Sequence, residues 1–220
     1  MNYVNLYGWH LLSNLNYFSK EDSLMKEVKP IRDKEDLQNF KNYYREVCPH
    51  PRNQLMLVMG LNTALRISDL LSLQWGDVYD FGRKRFKKHL ILREQKTKKN
   101  STIYMNDNIL KELTFYMEYN LSKGFPIDSE IYLFCGVSKN EPITRVQAFR
   151  IIKKAARACD IPEDIACHSL RKTFGYHAWN QGVNPVMLMN IYNHSSFETT
   201  KHYLGIEQDD RDKVFGEIML

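Results

Sequence analysis

The 220-residue sequence predicts an α+β fold, mainly α-helical, with one small three-stranded antiparallel sheet. Three observations predict it. Apolar residues recur at helical spacing over most of the chain after residue 33. The period changes once, from about residue 77 to 105, where RFKKHLILREQ and NSTIYM flank the polar KTKKN and read as a β-hairpin. Proline, glycine and capping residues punctuate the rest into short helices. Hydrophobic residues make up 43% and aromatics 12%, enough to bury the core of one ordinary domain.

The elements follow in order. Lys29-Pro30 marks a boundary, which sets residues 1–29 apart as an N-terminal extension. Asp33 caps a helix through DLQNFKNYYREV, with acidic Asp36 three residues on. Pro49 and Pro51 interrupt, and the strongly apolar helix PRNQLMLVMGLNTAL follows. Arg66 lies in a short joint, and Ser68 caps DLLSLQW, whose Leu70, Leu71 and Leu73 face inward. DVYD, before Phe81-Gly82, supplies the third strand. ILKELTFYMEYNLSKG ends at a glycine C-cap, Gly124, and Thr144 caps TRVQAFRIIKKAARACDI. His168 to Gln181 forms a helix stopped by Gly182, and Asn184-Pro185 opens PVMLMNIY with a cap and a first-turn proline. Ser195 and Glu198 fit a capping box for a last helix. Its inner face is Phe197, Thr200 and Leu204, and Tyr203 is offset toward a cleft. There is no internal repeat or low-complexity segment.

Composition narrows the function. No run of about eighteen apolar residues is present, which predicts no membrane span. The first residues lack a basic n-region and a clean apolar block, so no secretory signal is predicted and a cytoplasmic protein is expected. Cys48, Cys135, Cys159 and Cys167 show no CxxC spacing and read as reduced structural thiols. Cys167 and His168, adjacent on a helix, point in different directions and make no metal pair. The net charge is +5, yet Arg83 to Lys99 alone carries nine Lys/Arg against one Glu, a local +8. Such a concentration is the footprint of a phosphate-backbone binder. Charge alone divides evenly between that reading and a hairpin kept soluble by lysines.

Single motifs are weak. HSLRK puts His168 and Arg171 on one helix face, a pattern shared by many half-buried histidines beside surface arginines. Any one of thirteen tyrosines is most simply structural, since a phenol near pKa ~10 needs help to attack anything. The ordered set carries more. GLNTALRISDLLSLQWGDV holds Arg66, REQKTKKN holds Lys96, HSLRKTFGYHAWNQG holds His168 and Arg171, and YNHSSFETTKHYLG holds His194 and Tyr203.

This order resembles the catalytic domain of the tyrosine recombinase (phage integrase) family over about residues 30–206. The resemblance implies that family's DNA breaking-rejoining fold and six catalytic positions: Arg66, Lys96, His168, Arg171, His194 and the nucleophile Tyr203. It implies that Arg66 and Arg171 fork onto the scissile phosphate and His194 donates a hydrogen bond to it. Lys96 swings in on its hairpin to protonate the leaving 5′-oxygen, and His168 accepts or relays the tyrosine proton. Asp69 matches the family's acidic residue and orients Arg66; on its own it reads equally as a helix-start charge. Arg83, Lys84, Arg85, Lys87, Lys88, Arg93, Lys98 and Lys99 are the candidate DNA contacts. The partner implied is double-stranded DNA in the nucleoid, bound by a tetramer on paired sites, with no cofactor and no metal. The tail 207–220, apolar at Val214, Phe215, Ile218 and Met219, is expected to pack on a neighbouring subunit or fold back on its own.

The chain departs from the family pattern in places. Ala64 stands where a glycine is usual before Leu-Arg, and Tyr192-Asn193 where Leu-Gly precedes the histidine. Asparagine is the best non-glycine choice for a positive φ. The first 29 residues are too few for a separate core-binding domain, so either a short, catalytic-domain-only form of the family or a remnant of a longer integrase is expected. A type IB topoisomerase shares the chemistry, and relaxation of supercoils by a monomer without recombinant product would point to it. A non-catalytic DNA-binding regulator is the alternative of another class, and six intact positions speak against it.

Overall fold

In a computed structural model of the chain, residues 28–136, 141–206, 212 and 215–219 are described. The first 27 residues of the expected extension, and Val214 of the tail, lie outside them. The helices are α1 (Lys34–Glu46), α2 (Pro51–Thr63), α3 (Ile67–Leu71) and α4 (Trp75–Val78), then α5 (Asp107–Ser122), α6 (Arg145–Ala158), α7 (Cys167–Asn180), α8 (Pro185–Tyr192) and α9 (Phe197–Leu204). Strands β1 (Tyr79–Asp80), β2 (Arg85–Phe86), β3 (His89–Arg93) and β4 (Asn100–Tyr104) lie between α4 and α5.

α2 is the axis of the core. Its run of Leu, Met and Val is apolar all round, and a helix of that kind must be covered on every side. It packs against α1, α5 and α7, with Leu55, Met56, Leu57 and Met59 fully buried. Trp75 stacks on Tyr116 of α5 at 5.6 Å between ring centres. The entry to the domain is tied down as well: Ile31 is buried and its N–H donates to Thr173 Oγ1 on α7 at 2.9 Å. Asp33, Thr144 and Asn184 accept from the first-turn amides of α1, α6 and α8, as their side-chain chemistry dictates. Cys48, Cys135, Cys159 and Cys167 are all free and half-buried. Among the described residues no helix is long and apolar enough to cross a membrane.

Three local expectations need correction. The sheet is two antiparallel pairs, β1–β2 and β3–β4, not one of three strands. The ladder breaks at Lys87–Lys88: the Lys87 N–H turns to Val78 O, while the Lys88 carbonyl turns the other way to the Met105 N–H. DLLSLQW splits into α3 and α4, and Arg66 rather than Ser68 stands at the first cap. Leu73 and Gln74 are drawn out of the helix because they bridge the extended Tyr132–Leu133 segment. Ser196, not Ser195, caps α9, and Glu198 pairs with Lys201 instead of reaching back.

A second, smaller cluster seats α8 and α9 on α7, with Leu188, Tyr192, Leu204 and Ile206 all fully buried. Gly175 makes this possible, because a Cβ there would strike the Tyr192 hydroxyl and a Leu204 methyl. Tyr192 cannot swing away, since its hydroxyl donates to Arg171 O at 2.7 Å. Gly175→Ala is therefore expected to destabilise the protein by about 1–3 kcal/mol, the usual effect of overpacking. Thermal unfolding checks this, and an unchanged melting temperature would contradict the tight seat.

Candidate active site

The C-terminal end of α2 delivers the first functional side chain. Ala64 closes that helix in the left-handed region, at φ 53° and ψ 19°, which is why glycine suits the position. The turn places Arg66 at the start of α3, with its side chain 17% exposed. One turn of α7 carries His168 and Arg171. Arg171 is buried: its guanidinium donates to Ala64 O and to Tyr192 O (3.2 Å) and lies 4.5 Å above the Tyr192 ring. The left-handed turn after Thr63 and the end of α8 are thus clamped by one arginine.

Asn193 ends α8 at φ 56°, as the expected positive φ required, and His194 follows it. His194 Nδ1 lies 3.1 Å from Thr200 Oγ1 on α9, and its ring meets Tyr203 edge-on at 5.3 Å. Tyr203 sits in α9 against Tyr192 (5.5 Å between ring centres), with Lys172 Nζ 5.2 Å above its ring. The far end of α9 is held by Gly205 at φ 67°, whose carbonyl accepts from Arg32 Nη2 at 2.8 Å. Phe197 is only half-buried and packs on Trp179, while Thr200 and Leu204 point fully inward.

The electrostatics follow from this crowding of cations. Burial pushes the Tyr203 phenol up from its ordinary pKa, while the Arg171 and Arg66 charges and a hydrogen bond from Arg171 pull it back. Burial lowers His168, and the Arg171, Arg145, Lys172 and Arg66 charges lower it further. His194 is lowered by burial and then by the two arginines. Both histidines are therefore neutral at pH 7 and free to exchange protons. Burial also pushes the Cys167 thiol up to about 11, which leaves it inert beside His168.

The structure gathers Arg66, His168, Arg171, His194 and Tyr203 at one end of α2. Lys96 stands exposed on the loop between β3 and β4, and its side chain makes no hydrogen bond or ion pair among the described residues. Asp69 is buried, but its Oδ1 accepts from the Gln95 N–H (2.9 Å) on that loop; the carboxylate that reaches Arg66 is Glu94, at 2.5 Å. All eight basic residues expected to meet DNA are exposed: Arg83, Lys84, Arg85, Lys87, Lys88, Arg93, Lys98 and Lys99. Arg83 pairs with Asp80, and Lys87 Nζ donates to Gly76 O. A cleft of about 410 Å³ lined by His50, Arg52, Trp75 and Tyr132 lies at the other end of α2 and holds none of the six residues. Sequence reasoning missed Glu94, Tyr192 as the floor under Arg171, and Arg145 as a charge near His168. For Glu94 the available signal was a lone acid inside a basic run.

A helical domain that brings two arginines, two histidines and a tyrosine together in this way is of the tyrosine recombinase catalytic class. Residues 32–209 match the phage integrase family, and the chain belongs to it. It is 39% identical over 195 residues to the probable integrase/recombinase YoeC of Bacillus subtilis, spanning 87% of this chain and 99% of that protein. It is 28% identical over 168 residues to a tyrosine recombinase of Pseudothermotoga lettingae, spanning 76% of this chain but only 54% of that one. The crystal structure of XerA recombinase superposes with a TM-score of 0.67 at 18% identity, covering 87% of this chain and 64% of that chain, and speaks for the fold alone. The Tn1549 transposon integrase, solved in complex with a circular intermediate DNA, gives a TM-score of 0.59 at 26% identity over 85% of this chain and 65% of that one. The chain thus spans nearly all of one curated relative and about half of another.

Proposed function

We propose that this chain is a site-specific DNA recombinase that cuts and rejoins strands through a 3′-phosphotyrosine intermediate. The observation that carries this reading is the gathering of Tyr203 with His194, 5.3 Å between ring centres, beside buried Arg171 and a second arginine, whose charges pull the phenol pKa down against burial. A duplex phosphate entering there would take its non-bridging oxygens to Arg66 and Arg171, which offset the charge that grows on them in the transition state. Neutral His168 accepts the phenol proton as Tyr203 Oη bonds to phosphorus, and the bond to the 5′-oxygen breaks. Lys96 hands that oxygen its proton. The 3.1 Å contact of Nδ1 with Thr200 Oγ1 holds the His194 ring, and the tautomer with its proton on Nε2 is the one that donates to the phosphate. A 5′-hydroxyl from another strand reverses the step. One phosphodiester replaces another, so the exchange calls for neither ATP nor metal.

The DNA-bound relatives in structural comparisons support a duplex DNA partner, and the exposed basic hairpin is the surface that would meet it. The decisive experiment uses nicked suicide DNA carrying the native site. A covalent adduct whose nucleotide maps to Tyr203 supports the reading, and an adduct at another residue overturns it.

The same reading includes a tetramer on paired sites in the cytoplasm, acting on nucleoid DNA, with the tail after Ile206 exchanged between subunits. Phe215, Ile218 and Met219 are 81%, 58% and 91% exposed, apolar surface left uncovered among the described residues. Deleting residues 207–220 is expected to weaken tetramer assembly on DNA in sedimentation or native gels, and undiminished assembly would sink the exchange.

A further inference from the structure

Glu94, at the base of the β3–β4 loop, is 3% exposed. A buried carboxylate is costly unless every oxygen is satisfied. Here Oε2 accepts from Arg66 Nη1 at 2.5 Å and Thr97 Oγ1 at 2.8 Å. Oε1 accepts from Ser101 Oγ and from Asn193 Nδ2, each at 2.9 Å. Burial works to raise its pKa, but the Thr97, Ser101 and Arg66 hydrogen bonds outweigh it and hold the group below its ordinary value. Glu94 is therefore an anion in a fixed place, and its donors come from three separate parts of the chain.

Each of those parts bears a member of the site. Arg66 is one itself. The loop that Thr97 and Ser101 brace carries Lys96. Asn193 directly precedes His194. The loop is further closed by the Glu94 N–H to Lys99 O and the Lys98 N–H to Glu94 O, both at 2.9 Å, and is held to α3 through Gln95 and Asp69. A loop tied this way does not travel as a unit; only the Lys96 side chain has reach. Meanwhile the contact to Glu94 uses one nitrogen of Arg66, and a guanidinium has further N–H groups to offer a phosphate.

We propose that Glu94 is a positioning residue for strand cleavage: it sets the Arg66 guanidinium and locks the Lys96 loop to the His194 turn. This rests on the recombinase reading, and it adds an acid that does not touch DNA. Its charge matters because a neutral partner would let Arg66 turn away from the phosphate.

The test measures single-turnover cleavage of suicide DNA with either an ordinary scissile phosphate or a methylphosphonate, whose methyl group removes the negative charge. Glu94→Gln is expected to slow cleavage of the phosphate by about 10²-fold, the scale of a small misplacement of a catalytic group. On the methylphosphonate, which has less need of Arg66, that deficit shrinks, as the deficit of Arg66→Ala shrinks on the same DNA. Equal slowing on both substrates, or wild-type rates, overturns the proposal. If Glu94→Gln fails to fold, Asn193→Gly decides, because glycine suits the left-handed turn while the Nδ2 donor is lost. It is expected to stay folded yet cleave about 10-fold more slowly, as loss of an orienting contact does elsewhere. Wild-type cleavage by Asn193→Gly overturns the link. The wild-type chain on the same DNA reports separately on the recombinase reading: no adduct at all indicts that reading and not Glu94.

Discussion

Tyr203→Phe is expected to abolish the covalent protein–DNA adduct and to leave the folded protein in place. The ring does the packing in α9: it meets Tyr192 at 5.5 Å and His194 at 5.3 Å and lies beneath Lys172. Phenylalanine keeps all three contacts and removes only the oxygen. Arg171 retains Ala64 O and Tyr192 O as acceptors. Melting should therefore shift little, while attack on phosphorus loses its nucleophile altogether. A denaturing gel of the suicide-DNA reaction reads the outcome directly. An adduct that survives the substitution would place the nucleophile elsewhere.

Arg171→Ala is expected to damage both chemistry and stability. Loss of one preorganised donor to a developing charge slows cleavage by about 10²–10³-fold. The structural cost is separate. Arg171 is 4% exposed and satisfies the carbonyls of Ala64 and Tyr192, and leaving such groups buried and unpaired costs about 1–3 kcal/mol each. Arg171→Lys keeps the charge but lacks the planar fork that spans both carbonyls, so it should recover little of either loss. Single-turnover cleavage and thermal unfolding separate the two effects. Wild-type cleavage by a folded Arg171→Ala protein would remove Arg171 from the mechanism.

Much of this was legible in the sequence. Asp33, Thr144 and Asn184 cap their helices because the signal is local: an oxygen two or three residues from an open amide. Asn193 in the left-handed region is local too. The wrong cap of α9 was a local signal with two candidates, Ser195 and Ser196, and the turn after Asn193 chose the second. The sheet was misread because a ladder depends on where each amide finds its acceptor. At Lys87–Lys88 those acceptors belong to Val78 and Met105, on opposite sides.

The site divides along the same line. Residue types and their order carried the family resemblance, and that resemblance is what singled out Arg66, Lys96, His168, Arg171, His194 and Tyr203 as candidates. They could not show which carboxylate holds Arg66. Asp69 is three residues away and Glu94 twenty-eight, yet Glu94 reaches it while Asp69 holds the Gln95 amide. Nor could they show Tyr192 as the floor on which Arg171 and Tyr203 rest. By itself the sequence determined the local turns and the chemical inventory of this protein. Only the tertiary structure decided which of those groups touch. The reason is physical: a buried charge is stable only where distant parts of the chain bring it donors, and that meeting is a property of the packed core.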